Sequence, residues 1–180
     1  TYSSADLNNS QQLLGIPLQL HIITEMFLNN DDAYRKIEEK DIFVLTQMYK
    51  LFFDGKMTSA LNKIVAEKQI HQIGHIRALL KQYETVALKA CLNSIDFGKL
   101  NLNSKESEEF IKDIKENGDK YGIIKKISED DDVVFDHQTY AEYFACVWLK
   151  NNTEKIVLLK KDFFSPRYNN LRLMFDVMLA

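Results

Sequence analysis

Between Tyr121 and Phe135 the apolar residues of this chain stop recurring every third or fourth position and begin to alternate. Ile123 to Ile127 and Val133 to Phe135 flank the polar run Ser128-Glu129-Asp130-Asp131-Asp132. Two β-branched runs around an acidic turn predict a small hairpin, with strands near 123–126 and 133–135. After Asp136 the period returns to that of a helix, predicted from about His137 to Leu149, with Tyr140, Phe144 and Val147 on its apolar side. Asp136 or His137 is placed to cap it. Everywhere else the apolar spacing is helical, so the chain is predicted to be mainly α, a helical bundle carrying one small β-hairpin.

Composition agrees, since only two prolines and six glycines interrupt 180 residues. A first helix is predicted over 4–14, ending before Gly15, and Pro17 opens a second with Leu18, Ile22, Glu25 and Met26 at helical spacing. Asp41 caps a third, whose stripe of Val44, Met48, Leu51 and Phe52 runs to Gly55. A long helix over about 70–92 groups Ile76, Leu80, Tyr83, Ala87 and Cys91. A shorter one starts at Ser104 or Ser107, buries Phe110, Ile111 and Ile114, and stops at Asn117-Gly118. Helices over 153–161 and 169–179 follow, separated at Ser165-Pro166. Helix, helix, hairpin, helix is the order of a winged helix. The chain is read as one compact unit over 1–180, with a helical pair over 1–30, a winged-helix-like region over 31–150 and C-terminal helices over 151–180.

Several function classes find little footing. A formal charge of −3, with charged residues of mixed sign, offers no basic face to a phosphate backbone, so no nucleic-acid partner is expected. No apolar stretch reaches the roughly 20 residues that span a bilayer. Cys91 and Cys146 can form one bridge or stay as two buried thiols, but not a disulfide framework. His71 and His75 share a helical face, yet no glutamate follows His71 as a metalloprotease pattern requires, so no metal is expected. Asp130-Asp131-Asp132 lacks the alternate ligand spacing of a calcium loop. Glu106, Glu108 and Glu109 suit the positive end of a helix dipole. No serine, cysteine, histidine and acid arrangement for nucleophilic catalysis is visible.

Phe135, His137, Thr139, Tyr140, Glu142, Phe144 and Ala145 form a run that resembles the end of the winged-helix subdomain in NACHT domains of NLR-type signalling ATPases. Leu14-Gly15-Ile16-Pro17-Leu18-Gln19-Leu20 is similar to the Gly-x-Pro junction that precedes that subdomain, and residues 45–56 to the helix after it. The three occur in family order, closest to the ankyrin-linked NACHT proteins of arthropods. The resemblance implies that Pro17 corresponds to a proline lying against adenine and His137 to a histidine on the β-phosphate of ADP. The rest of that nucleotide site is missing. A P-loop needs Gly-x-x-x-x-Gly-Lys-Ser/Thr, whereas Gly55-Lys56 is followed by Met57 and Gly98-Lys99 by Leu100. Pro17 and His137 are therefore read as vestiges, and no cofactor is expected.

The expected function is that of a non-enzymatic protein that binds another protein, derived from a NACHT winged-helix region and standing alone. A start at Thr1 and the sequons at Asn8 and Asn151 lead to the expectation of a secreted effector, of salivary type, acting on host or immune-cell proteins. The alternative is a cytoplasmic nucleotide-sensing segment of an NLR-like ATPase, with His137 as its sensor.

Overall fold

The computed structural model describes residues 20–25, 45–64, 69–102 and 104–179. Pro17, Gly15, the helix expected over 4–14, and Asp41 with Val44 lie outside them. The contacts group the chain into two compact units, Thr1–Lys63 and Ile64–Ala180. That division differs from the expected one, which set boundaries after 30 and 150 within a single unit. Residue 150 cannot mark a boundary because the helix containing it packs against helices on both its sequence sides.

In the first unit, residues 20–25 are helical and helix α1 spans Leu45–Ile64. Gly55 does not stop α1 as expected. A glycine inside a helix costs only about 1 kcal/mol relative to alanine, and Met57, fully buried, anchors the next turn. Met48 and Phe52 are buried as expected, whereas Leu51 is only half-buried and Tyr49 and Phe53 take its place inside.

The second unit is built from α2 (Gln69–Cys91), α3 (Ser94–Lys99), α4 (Ser104–Asn117), strands β1 (Ile124–Ile127) and β2 (Val133–Phe135), α5 (Gln138–Asn151), α6 (Thr153–Phe163), a 3-10 turn (Pro166–Tyr168) and α7 (Asn169–Leu179). It is mainly helical, with one two-stranded antiparallel sheet. α5 is its axis, packing most extensively against α2 and next against α7. Tyr140, Ala141, Phe144, Ala145, Cys146 and Leu149 are almost completely enclosed. Val147, expected on the apolar side, is instead only half-buried.

The hairpin pairs Ile124 with Phe135 and Ile127 with Val133, and a bulge at Lys125 puts two lysines in succession on the outer face. β2 alternates as a half-buried strand must, with Val133 and Phe135 inward and Val134 outward. Asp131 turns the loop in the left-handed region at φ 63°, and Ser128 bonds across it to Asp132. Gly118 leaves α4 at φ +73°, where a side chain would be strained. Tyr83 on α2 stacks on Phe144 of α5 at 5.5 Å and meets Phe110 of α4 edge-on at 5.1 Å. Such pairs add about 0.5–1.5 kcal/mol each beyond the area they bury.

Candidate functional site

His137 sits at the junction of β2 and α5. Its backbone is extended, at φ −130° and ψ 138°, and occupies the N-cap position, but the imidazole makes no capping hydrogen bond. The side chain is 42% exposed, with Nε2 3.5 Å from an Asp136 carboxylate oxygen and the ring edge-on to Tyr140 at 5.1 Å. Two residues on, Thr139 Oγ1 is buried with no hydrogen-bond partner among the described residues. Glu142, in the next turn, is buried too, and burial raises its carboxyl above the usual range while bonds from Gln138 and Asn170 pull it down. That carboxylate ties α5 to α7. With Pro17 outside the described residues, the pairing of Pro17 and His137 across one site cannot be drawn. His75 is exposed on α2, and the side chain of His71 is likewise outside the described residues.

Two other carboxylates organise the unit. Asp119 receives the Tyr83 hydroxyl at 2.5 Å and the backbone amides of Tyr121, Ile123 and Ile124 at 2.6–3.0 Å, so one side chain fixes the start of β1 to α2. Burial, reinforced by the Asp119 charge, drives the Tyr83 phenol far above its ordinary pKa. Asp96, only 1% exposed, accepts from Asn93 Nδ2 at 2.8 Å, Tyr168 Oη at 2.7 Å and Lys99 Nζ at 2.7 Å. Burial alone would raise it, but the bonds from Lys99 and Tyr168 outweigh that and hold Asp96 below the usual carboxylate range. Lys99 continues to Asp162 on α6 at 2.9 Å, so this knot fastens α3 to the C-terminal helices.

No protein-family model, curated protein or solved structure matches this chain. Function therefore rests on the geometry of the molecule.

A groove of about 690 Å³ lies in the second unit. α2 contributes Lys81, Glu84 and Thr85 to it, the start of α4 contributes Glu106, and the end of α5 contributes Trp148, Asn151 and Asn152. Its size lies within the range of small-molecule sites. Glu84 differs from the other two acids in having no hydrogen bond to its carboxylate among the described residues. Burial pushes its carboxyl up from 4.5 to about 7, against the lowering pull of Lys81. The sequence reading missed this groove. Its one local signal is the chain's sole tryptophan a turn ahead of two asparagines; nothing around Glu84 marks it.

Cys91 and Cys146 are both free. Burial pushes the Cys91 thiol up to about 12 and the Cys146 thiol higher, and Cys146 Sγ donates to the Leu171 carbonyl at 3.2 Å. Neither is poised as a nucleophile. No helix among the described residues is long and apolar enough to cross a membrane.

Proposed function

We propose that this chain is a non-catalytic protein-binding module whose second unit is a winged-helix-like, NACHT-related region followed by a pair of helices that meets the partner. The observation that carries the binding reading is the apolar surface of α6, α7 and their connection. Val157 is 65% exposed, Phe164 68% and Leu173 55%, with Leu158 and Val177 also exposed. α7 thus has an inner face of Leu171, Met174, Phe175 and Met178 and a second apolar stripe at Leu173 and Val177, which the unit itself leaves in water. The order α2, α4, hairpin, α5 supports the winged-helix part of the reading. Asn151 is exposed at the end of α5, which leaves its sequon open to the glycosylation that a secreted protein would carry.

The test uses the two variants Phe164→Glu and Leu173→Glu, both at exposed positions, checked for native circular dichroism. A partner captured by the unaltered protein is purified and titrated calorimetrically against all three. At least tenfold weaker binding by the variants is expected. Undiminished binding would remove α6 and α7 from the interface.

A second reading, in which His137 senses a nucleotide phosphate, is favoured by a half-exposed imidazole that makes no capping bond and by a buried Thr139 hydroxyl with no partner among the described residues at the first turn of α5. One histidine and one helix start supply few contacts against the ordering cost of binding, so ADP is expected to bind no better than about millimolar. Micromolar ADP binding lost in His137→Ala would reverse the order of the two readings.

A further inference from the structure

The groove between α2, α4 and α5 is lined by acids from two helices and by several amides and hydroxyls, among them Gln82, Ser107 and Asn151. Thr85 spends its only hydroxyl hydrogen on the Lys81 carbonyl at 3.0 Å, and Asn152 Nδ2 is engaged by the Trp148 carbonyl at 2.8 Å, which leaves the Asn152 amide oxygen unspent. Two carboxylates from different helices, Glu84 and Glu106, face the same space, opposed by the single ammonium of Lys81. Beside them lies Trp148, the best of the aromatic rings at holding a cation. A site with surplus negative charge beside an indole calls for a ligand that is positive, able to donate hydrogen bonds and partly apolar.

We propose that this groove binds a small primary ammonium ligand, its charged end on Glu84 and the Asn152 amide oxygen and its apolar body against Trp148. An anion is disfavoured by the same residues, since it would meet two carboxylates. The ligand supplies hydrogen bonds that Glu84 lacks among the described residues. In the free protein Glu84 is largely protonated below about pH 7, and the ammonium favours its ionised form, so binding releases a proton. Lys81 and Glu106 are the other charged groups lining the groove. The proposal goes beyond the protein-binding reading and stands or falls apart from it, because α6 and α7 contribute nothing to the groove walls.

Because the chain has one tryptophan, its fluorescence reports on this groove alone. The full chain, made in bacteria so that Asn151 carries no glycan, is titrated with phenethylammonium, and with 3-phenylpropionate and 2-phenylethanol as anionic and neutral counterparts. The expected result is a saturable change with the ammonium alone, at a dissociation constant of about 1 mM or tighter. Affinity should fall about tenfold from pH 8 to pH 6 as Glu84 takes up its proton, while the ligand stays charged throughout. Glu84→Gln should bind at least tenfold more weakly at pH 8 with a flat pH profile, and Glu84→Asp, which keeps the charge, should retain the pH dependence. No saturable change, an equal response to the anion or the neutral analogue, or undiminished binding by Glu84→Gln would each overturn the proposal.

Discussion

Asp96 and Glu84 lie in the same unit and have opposite fates. Asp96 is the more deeply enclosed, yet it is held ionised because Asn93, Tyr168 and Lys99 all donate to it. Burial pushes the Glu84 carboxyl up to about 7, and among the described residues no donor offsets it. Burial raises both carboxyls, and the bonds from Lys99, Tyr168 and Asn93 reverse that at Asp96 alone. A satisfied carboxylate is a joint, and an unsatisfied one at the edge of a groove is a place for a ligand to bond. The Asp119 knot falls on the joint side, with four donors gathered on one side chain.

The contrast is broken most sharply by Asp96→Ala. Tyr168 Oη then loses a buried charged acceptor while Asn93 Nδ2 keeps Tyr168 Oη at 2.9 Å, and a stability loss of about 2–3 kcal/mol is expected in a urea titration, at 1–3 kcal/mol for a group left unpaired. Lys99 is half in solvent and keeps Asp162, so it adds little. A loss below about 1 kcal/mol would mean that the knot is dispensable. Tyr83→Phe is the milder counterpart at the second joint, because the ring and its stacking on Phe144 remain while one donor to Asp119 is removed. About 1.5 kcal/mol should be lost, the low end for a hydrogen bond to a charged group, since three amides still hold Asp119.

The joints and the groove were not equally legible in the sequence. The hairpin was, because alternation at Ile123 to Ile127 and Val133 to Phe135 against a helical background is a local signal; the first strand runs Ile124–Ile127, one residue along from the expected 123–126, with a bulge at Lys125. Helix α3 escaped notice. It has six residues, too few for a period to repeat, and depends on Asn93 capping the Asp96 amide at 2.8 Å and on Tyr168 arriving from a distant part of the chain. His137 was singled out by family resemblance and by its place before an aromatic helix, and it does stand at that junction. Glu84 and Trp148 were not, since only the packing of α2 against α5 brings them to one groove.

A pH titration of stability sharpens the comparison from the other side. Glu84 has a folded pKa raised from 4.5 to about 7, so the folded protein holds a proton there that the unfolded chain has released. Its contribution is fully present below about 4.5 and is lost as pH rises through about 7, with a slope of at most ~1.4 kcal/mol per pH unit in between. Asp96, with its pKa lowered, works in the opposite sense: its contribution is present above the ordinary carboxylate range and is lost as pH falls below it. Denaturant midpoints measured from pH 4 to 8 on the unaltered protein and on Glu84→Gln should differ by that falling component. Identical profiles would show that Glu84 is solvated like any surface acid.

The smallest effect is expected where the sequence pattern was misleading. Val147 continues the stripe of Tyr140 and Phe144 and reads as core, yet it is only half-buried. Val147→Ala removes two methyl-sized groups that are about half in water, which forfeits roughly 0.8 kcal/mol at ~0.8 kcal/mol per fully buried carbon. Alanine returns about 0.5 kcal/mol through its better helix propensity. The net change should therefore stay within about 0.5 kcal/mol in a urea titration, against about 3–5 kcal/mol for Phe144→Ala, whose ring is enclosed. A loss above about 1.5 kcal/mol for Val147→Ala would place a covering surface over this side of α5, and sedimentation of the same sample would tell whether a second copy of the chain provides it.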